Sequence, residues 1–235
     1  MIYNKENLQK GSTILIRKPL NWTSFQVVNK MRWLIKNLLN IQKIKVGHAG
    51  TLDPLAEGLL IICTGKSTKK IEEFQNLKKT YTGVFYLGAT RPSFDIETDI
   101  DSTSPIDHLK KDDLIKVRDQ FVGDILQTPP LFSAVKFKGK KLYDYARAGE
   151  KIEPRKRVVS VYNFKLSKIK LPKVYFEIEC SKGTYIRSIA NDFGRKLEVG
   201  AYLESLIRTQ IGKYCLKQAI SLEEFKKKIE TIAEV

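Results

Sequence analysis

The apolar pattern of this chain changes period repeatedly, and it never settles into the regular strand–helix alternation of a doubly wound fold. Residues 13–16 read as a short strand. Thr23-Ser24-Phe25-Gln26 then has capping-box spacing, Thr with Gln three residues later. Behind it Val27/Val28, Met31, Leu34/Ile35 and Leu38/Leu39 recur at helical spacing, which predicts a helix to about residue 39. Residues 45–57 carry Gly47, Gly50 and Pro54 and read as a loop. Residues 58–64 read as a buried strand, 67–77 as a short helix and 80–87 as a strand. Residues 93–104 lack an apolar period, are rich in acids and read as an exposed loop. Helices are expected at 111–122, 141–148 and 184–197, and strands at 158–166, 174–180 and near 213–217. A last helix begins at Ser221, where Ser221 and Glu224 form a second capping box. Such intermingling predicts an α+β fold, with a mixed, largely antiparallel sheet flanked by helices and loops. The absence of a repeat or a Ser/Gly/Pro-rich linker favours one domain over residues 1–235.

Composition narrows the class. At 42% hydrophobic and 29% charged the chain reads as globular and soluble. Its longest clear apolar run, Leu59-Leu60-Ile61-Ile62-Cys63, falls far short of the ~20 residues of a membrane helix, so no membrane partner is expected. The start, Met-Ile-Tyr-Asn-Lys-Glu, has no apolar signal segment. Three widely spaced cysteines (63, 180 and 215) argue against a disulfide framework and fit a reducing cytoplasm. Two histidines (48 and 108) without a Cys-x-x-Cys pair exclude the common zinc sites, and no metal is expected. The net charge of +16 is concentrated in two blocks. Residues 1–50 hold nine Lys/Arg against one acid, and residues 151–200 hold twelve against five. That balance fits solubility or a polyanionic partner, nucleic acid above all.

Cofactor motifs fail on inspection. Gly65-Lys66-Ser67 resembles the end of a phosphate-binding loop, but the glycine required five positions before Gly65 is Leu60. There is no Gly-x-Gly-x-x-Gly and no Gly-x-Ser-x-Gly. A catalyst on this chain is therefore expected to use side chains alone, without cofactor. The most informative stretch is Gly47-His48-Ala49-Gly50-Thr51-Leu52-Asp53-Pro54-Leu55-Ala56-Glu57-Gly58-Leu59-Leu60. Pro54 biases Asp53 away from helical φ/ψ, so its carboxylate sits on a rigid extended turn. On spacing alone, an ordinary Asp-Pro turn is equally consistent.

The segment closely resembles the signature of the TruB family, bacterial tRNA pseudouridine synthases that act in the T loop. Other stretches match in order: Arg17-Lys18-Pro19, Lys79-Thr80-Tyr81, the run from Gln127 to Lys136 with Gly139 to Arg147, Cys180 to Arg187, and Gly200-Ala201-Tyr202 with Leu206 and Arg208. The resemblance implies the pseudouridine synthase fold and a cofactor-independent isomerisation of uridine 55 in the tRNA T loop, with base flipping. It makes Asp53 the catalytic carboxylate, acting either as a nucleophile or by taking a proton from the ribose. It makes Arg187 the guanidinium partner of that carboxylate, and Tyr81 the ring stacked on the target base. Tyr185 would be a second pocket aromatic, Leu206 an apolar wall, and Lys18 a brace behind Tyr81. His48 would wedge the T loop after the uridine leaves the stack. Residues 125–152 would form an RNA-gripping insertion whose Lys136, Lys138, Lys140, Lys141 and Arg147 reach phosphates.

Departures from the family pattern carry expectations too. Arg17 stands where the family usually has Asp. Residues 90–95 only loosely follow the family's Thr/Asp-rich loop. The chain stops at Val235, which leaves no room for the C-terminal PUA domain of most bacterial relatives, and hence no guide RNA is expected. A monomer that binds the tRNA T stem-loop is the resulting picture. The rivals are an RNA-folding factor on the same scaffold and a guide-dependent relative.

Overall fold

The computed structural model describes residues 4–133, 135–150 and 152–233. Ala134 of the 127–136 motif, residue 151 of the 125–152 insertion and the Lys136 side chain lie outside what is described. Two compact units are present, Met1–Thr80 with Ile207–Val235, and Tyr81–Leu206.

The first unit opens with α1 (Lys5–Lys10), β1 (Thr13–Lys18), α2 (Ser24–Leu38), β2 (Val46–His48), β3 (Ala56–Thr64), α3 (Ile71–Asn76) and the start of β4 (Lys79–Leu87). β3 is its axis. β1 runs antiparallel to it from Thr13↔Cys63 to Lys18↔Gly58, and β2 from Val46↔Thr64 to His48↔Ile62. The apolar run that forms β3 is buried at every position but Glu57, because it faces a core on each side. Leu60 and Ile62 join Val27, Val28, Met31, Leu34 and Ile35 of α2. Leu59, Ile61 and Cys63 point the other way, to Ala49, Phe74 and Ile211. The capping box at the start of α2 forms as its spacing requires: Gln26 N–H donates to Thr23 Oγ1 at 3.0 Å, and Thr23 N–H to Gln26 Oε1 at 2.7 Å. The stretch 45–57 is not all loop, since β2 pairs there; a three-residue strand is too short for periodicity to reveal.

The second unit continues with β5 (Ala89–Thr90), β6 (Ser102–Thr103), α4 (Lys111–Asp119), β7 (Gly123–Gln127), β8 (Lys136–Phe137), β9 (Lys140–Lys141), α5 (Leu142–Arg147), β10 (Arg157–Lys170), β11 (Lys173–Cys180), α6 (Ile186–Lys196) and the first part of β12 (Ala201–Ile211), whose residues from Ile207 on belong to the first unit. Its sheet has the order β12-β4-β11-β10-β7, with β10 antiparallel to both β11 and β7. Phe85, Phe121, Phe164, Phe176 and Phe193 interlock over it, with ring centroids 4.2 Å apart for Phe85–Phe176 and 6.2 Å for Phe85–Phe164. Such tilted and edge-on ring pairs add specific geometry to the area they bury. β12 has no counterpart in the sequence pattern: its burial does not alternate, so the period-2 signal is missing. After it, in the first unit, come β13 (Tyr214–Cys215) and α7 (Leu222–Ala233), with the expected second box, Glu224 N–H to Ser221 Oγ at 3.0 Å. The segment 93–104 departs from the exposed loop expected there, because Ser93 and Asp95 at its start are buried. Among the described residues no helix is long and apolar enough to cross a membrane.

Candidate active site

The Asp53 turn is tied down residue by residue in the first unit. Ser24 Oγ donates to Leu52 O and accepts from Leu52 N–H, at 3.1 and 2.9 Å. Ala56 N–H donates to Asp53 O at 3.1 Å, and Asn21 N–H to Pro54 O at 2.8 Å. Lys18, fully buried, spends its amine on the carbonyls of Trp22, Pro19 and Pro54 at 2.5, 2.8 and 3.3 Å. It therefore braces the turn that carries Asp53. Burial pushes the Lys18 amine down to about 8, against the attraction of Asp53 and Glu57, while Arg208 adds to the lowering. The Asp53 side chain itself remains partly exposed.

Arg208 ties down the other side of the loop. Only 1% exposed, it donates from Nε to Leu59 O at 2.8 Å, from Nη2 to Gly50 O at 3.0 Å and from Nη1 to Thr51 O at 3.4 Å. Gly58 permits this closeness. Its φ is +110°, and a Cβ there would stand 2.4 Å from Arg208 O. His48 lies on β2, half-buried, and Arg32 of α2 donates to Val46 O two residues before it at 3.0 Å. Burial, and then the Arg208 charge, lower the His48 pKa, only partly offset by the Gly50 carbonyl.

In the second unit Tyr81 is buried on β4, Leu206 is half-buried on β12, and Tyr185 and Arg187 flank the start of α6. Arg187 is buried and donates to Phe132 O at 2.9 Å and Ser93 O at 3.2 Å. It also pairs with Asp95 at 3.4 Å, both side chains being nearly inaccessible. Tyr185 N–H donates to Gln127 Oε1 at 2.8 Å, and Gln127 Nε2 returns a bond to Tyr185 O at 3.0 Å. The Arg157 guanidinium lies 4.8 Å from the Tyr185 ring centroid. Ser188 Oγ donates to Thr128 O at 2.7 Å. Gln127, Thr128 and Phe132, all within the motif expected to grip RNA, thus fix the start of α6. Sequence reasoning missed Asp95, Gln127 and the bonds of Arg208. Glu97 N–H donates to Asp95 Oδ1 at 3.0 Å and closes a short Asx turn there.

In the insertion, β8 and β9 pair as a hairpin, and Tyr145 OH of α5 donates to Phe137 O at 3.1 Å. Its cations lie over rings: Lys138 5.6 Å from Phe137, Lys140 4.5 Å from Tyr145, Lys141 5.7 Å from Tyr143 and Arg147 5.2 Å from Tyr143. Lys140 also pairs with Glu150 at 3.0 Å.

The fold is a mixed one of largely antiparallel strands and helices, with a carboxylate standing on a braced Asp-Pro turn. The family model described as TruB family pseudouridylate synthase (N terminal domain) matches residues 36–186. The chain belongs to that family. It is 50% identical to the tRNA pseudouridine synthase B of Flavobacterium johnsoniae, over 96% of this chain and 99% of that protein. It is 48% identical to the protein of the same name from Phocaeicola vulgatus, over 93% of each. Among solved structures it is similar to an H/ACA ribonucleoprotein bound to a substrate RNA containing 2'-deoxyuridine, with TM-score 0.68 and 27% identity over 95% of this chain. It is similar to a Cbf5–Nop10–Gar1 complex at TM-score 0.68 and 28% identity over 96% of this chain. The chain spans 54% and 60% of those two chains. The expected pseudouridine synthase fold is thereby shown.

Proposed function

We propose that the chain isomerises uridine 55 in the T loop of tRNA to pseudouridine, without cofactor and without a guide RNA. The observation that carries this is the Asp53 turn, held by Lys18, Ser24 and Arg208 inside a stretch whose sequence follows the family signature. Relatives of nearly equal length carry the tRNA synthase name at up to 50% identity, whereas the ribonucleoprotein likeness stands at 27% and covers 54% of that chain.

The reaction breaks the bond from the ribose to N1 of uracil, turns the base, and joins C5 to the same ribose carbon, with C5 giving up a proton and N1 taking one up so that the product is an isomer. The Asp53 carboxylate assists by attacking the ribose or by removing a proton from it, and either route needs the carboxylate rather than its amide. Tyr81 stacks on the flipped base and stands ready for the C5 proton, a contact worth about 1–3 kcal/mol. Tyr185 and Leu206 add aromatic and apolar wall. Arg187, locked by Asp95, Ser93 and Phe132, supplies a fixed positive charge. His48, whose charged form is disfavoured by burial and by Arg208, is suited to fill the space a base leaves. The basic, ring-lined insertion grips phosphates, and the chain works as a monomer in the cytoplasm. Incubation with unmodified tRNA, followed by mapping of pseudouridine at single-nucleotide resolution, tests the reading. Conversion confined to position 55 is expected, and its absence there overturns the proposal.

A further inference from the structure

Arg208 has no assigned role, yet it is among the largest fully buried side chains among the described residues. Its guanidinium reaches two elements at once. Nε is bonded to Leu59 O in the middle of β3, a strand buried almost throughout. Nη1 and Nη2 are bonded to Thr51 O and Gly50 O, in the loop that leads into Asp53. A planar fork of donors fixes both the distance and the relative plane of the groups it bridges, which a flexible ammonium does not. The bridge is built into the backbone: Gly58 lets the Arg208 main chain approach β3, and Gly50, at φ +94°, bends the loop so that its carbonyl faces the guanidinium.

We propose that Arg208 is a positioning residue for Asp53: it staples the Gly50–Thr51 backbone to β3 and so sets where the next turn presents its carboxylate. The proposal rests on the assignment of Asp53 as the catalytic group. Lys18 secures the turn from the far side, through Pro54 O at 3.3 Å, and two buried cations thereby bracket the carboxylate along the chain. The acceptors Arg208 uses here are neutral carbonyls, so its charge is felt by the loop around it. His48, two residues before Gly50, feels that charge. Arg32 of α2 is bonded to Val46 O at 3.0 Å and is unchanged in variants at 208.

The test separates staple from charge. Arg208→Gln removes both, and Arg208→Lys keeps the charge but cannot bridge the loop and the strand. Single-turnover rate and tRNA affinity are measured with unmodified tRNA, alongside a thermal melt and an NMR titration of the imidazoles. The chain has two histidines, so His108 serves as internal control. A displacement of about 1 Å can cost 100-fold in rate, so Arg208→Gln should lose about that factor while binding tRNA within about threefold. Its His48 titration should move up, since the opposing cation is gone. Arg208→Lys should leave His48 in place and still be slow. A folded Arg208→Gln variant with wild-type rate overturns the proposal. So does a loss confined to affinity with His48 unmoved, which would mark a merely structural residue. Should Arg208→Gln fail to fold, Arg208→Lys decides alone: slow with normal binding supports the staple, wild-type rate overturns it. An active Asp53→Asn variant would instead sink the assignment of Asp53, an outcome distinct from failure of the staple.

Discussion

At the residue scale, the proposed chemistry rests on one carboxylate, Asp53, whose turn is held by Lys18 and Ser24. Asp53→Asn keeps the shape and loses the charge, so turnover should fall below about a thousandth of wild type while tRNA binding changes only a few-fold. Rapid-quench assays and filter binding measure the two. Tyr81→Phe should keep stacking and lose the hydroxyl, and Tyr81→Leu should lose both. A large rate loss in Tyr81→Phe places the hydroxyl in the proton transfer at C5, whereas full activity leaves stacking alone. Lys18 gives a prediction in pH. Its native value is about 8 against 10.5 in an exposed chain, so between those values the unfolded state binds the extra proton. The contribution of Lys18 to stability therefore rises as pH climbs from 8 to 10.5, and below 8 the buried charge is a standing cost. Denaturant melts across that window should show wild type gaining on Lys18→Met as pH rises; parallel curves would refute it. The Asp53 turn was legible because it sits in a contiguous motif, whereas Lys18, expected as a brace behind Tyr81, is bonded instead to the carbonyls of Pro19, Trp22 and Pro54. Asp95 and Gln127 were not legible, because their partners Arg187 and Tyr185 lie far along the chain and nothing local encodes the pairing.

Elements were legible in proportion to how strongly one face is buried. α2 announces itself through its cap and its apolar stripe, and β3 through an unbroken apolar run. Thr23→Ala removes the cap acceptor for Gln26 N–H and should cost about 1 kcal/mol, read as a shift in denaturation midpoint at constant slope. β12 was illegible because it buries residues irregularly, and the close approach of neighbouring strands replaces side-chain alternation as its organising constraint. Gly83 in β4 shows this: a Cβ there would stand 2.2 Å from Ser205 O of β12 and 2.8 Å from the Phe176 ring. Gly83→Ala must push backbone or ring aside. A cost of about 3 kcal/mol follows, or a melting temperature lower by roughly 6–12 °C in a chain of this size. A variant within about 2 °C of wild type would show that the strands have slack there.

For the whole molecule the governing quantity is charge, +16 in all, with the cations of the insertion set against aromatic rings. A cation over a ring keeps its charge available to a phosphate, and the ring in turn presents a face to an unstacked base. Each neutralised phosphate adds about 0.7–0.9 to the slope of log K against log salt, so five or six contacts give roughly −4 to −5. Lys140 is already paired with Glu150 and should contribute less than Lys138 or Lys141. Replacing Lys136, Lys138, Lys140 and Lys141 by neutral residues should then flatten the slope by roughly 2 to 3. Phosphate contacts carry little sequence information, so affinity for tRNA and for unrelated RNA should fall by similar factors, with position 55 still the base converted. Salt titrations of wild type and the quadruple variant, against tRNA and a non-target hairpin, read both quantities. An unchanged slope would clear the insertion of phosphate contacts and transfer the RNA path to the basic stretch 151–200. A fall confined to tRNA would instead mean that these lysines read shape or sequence in the T arm.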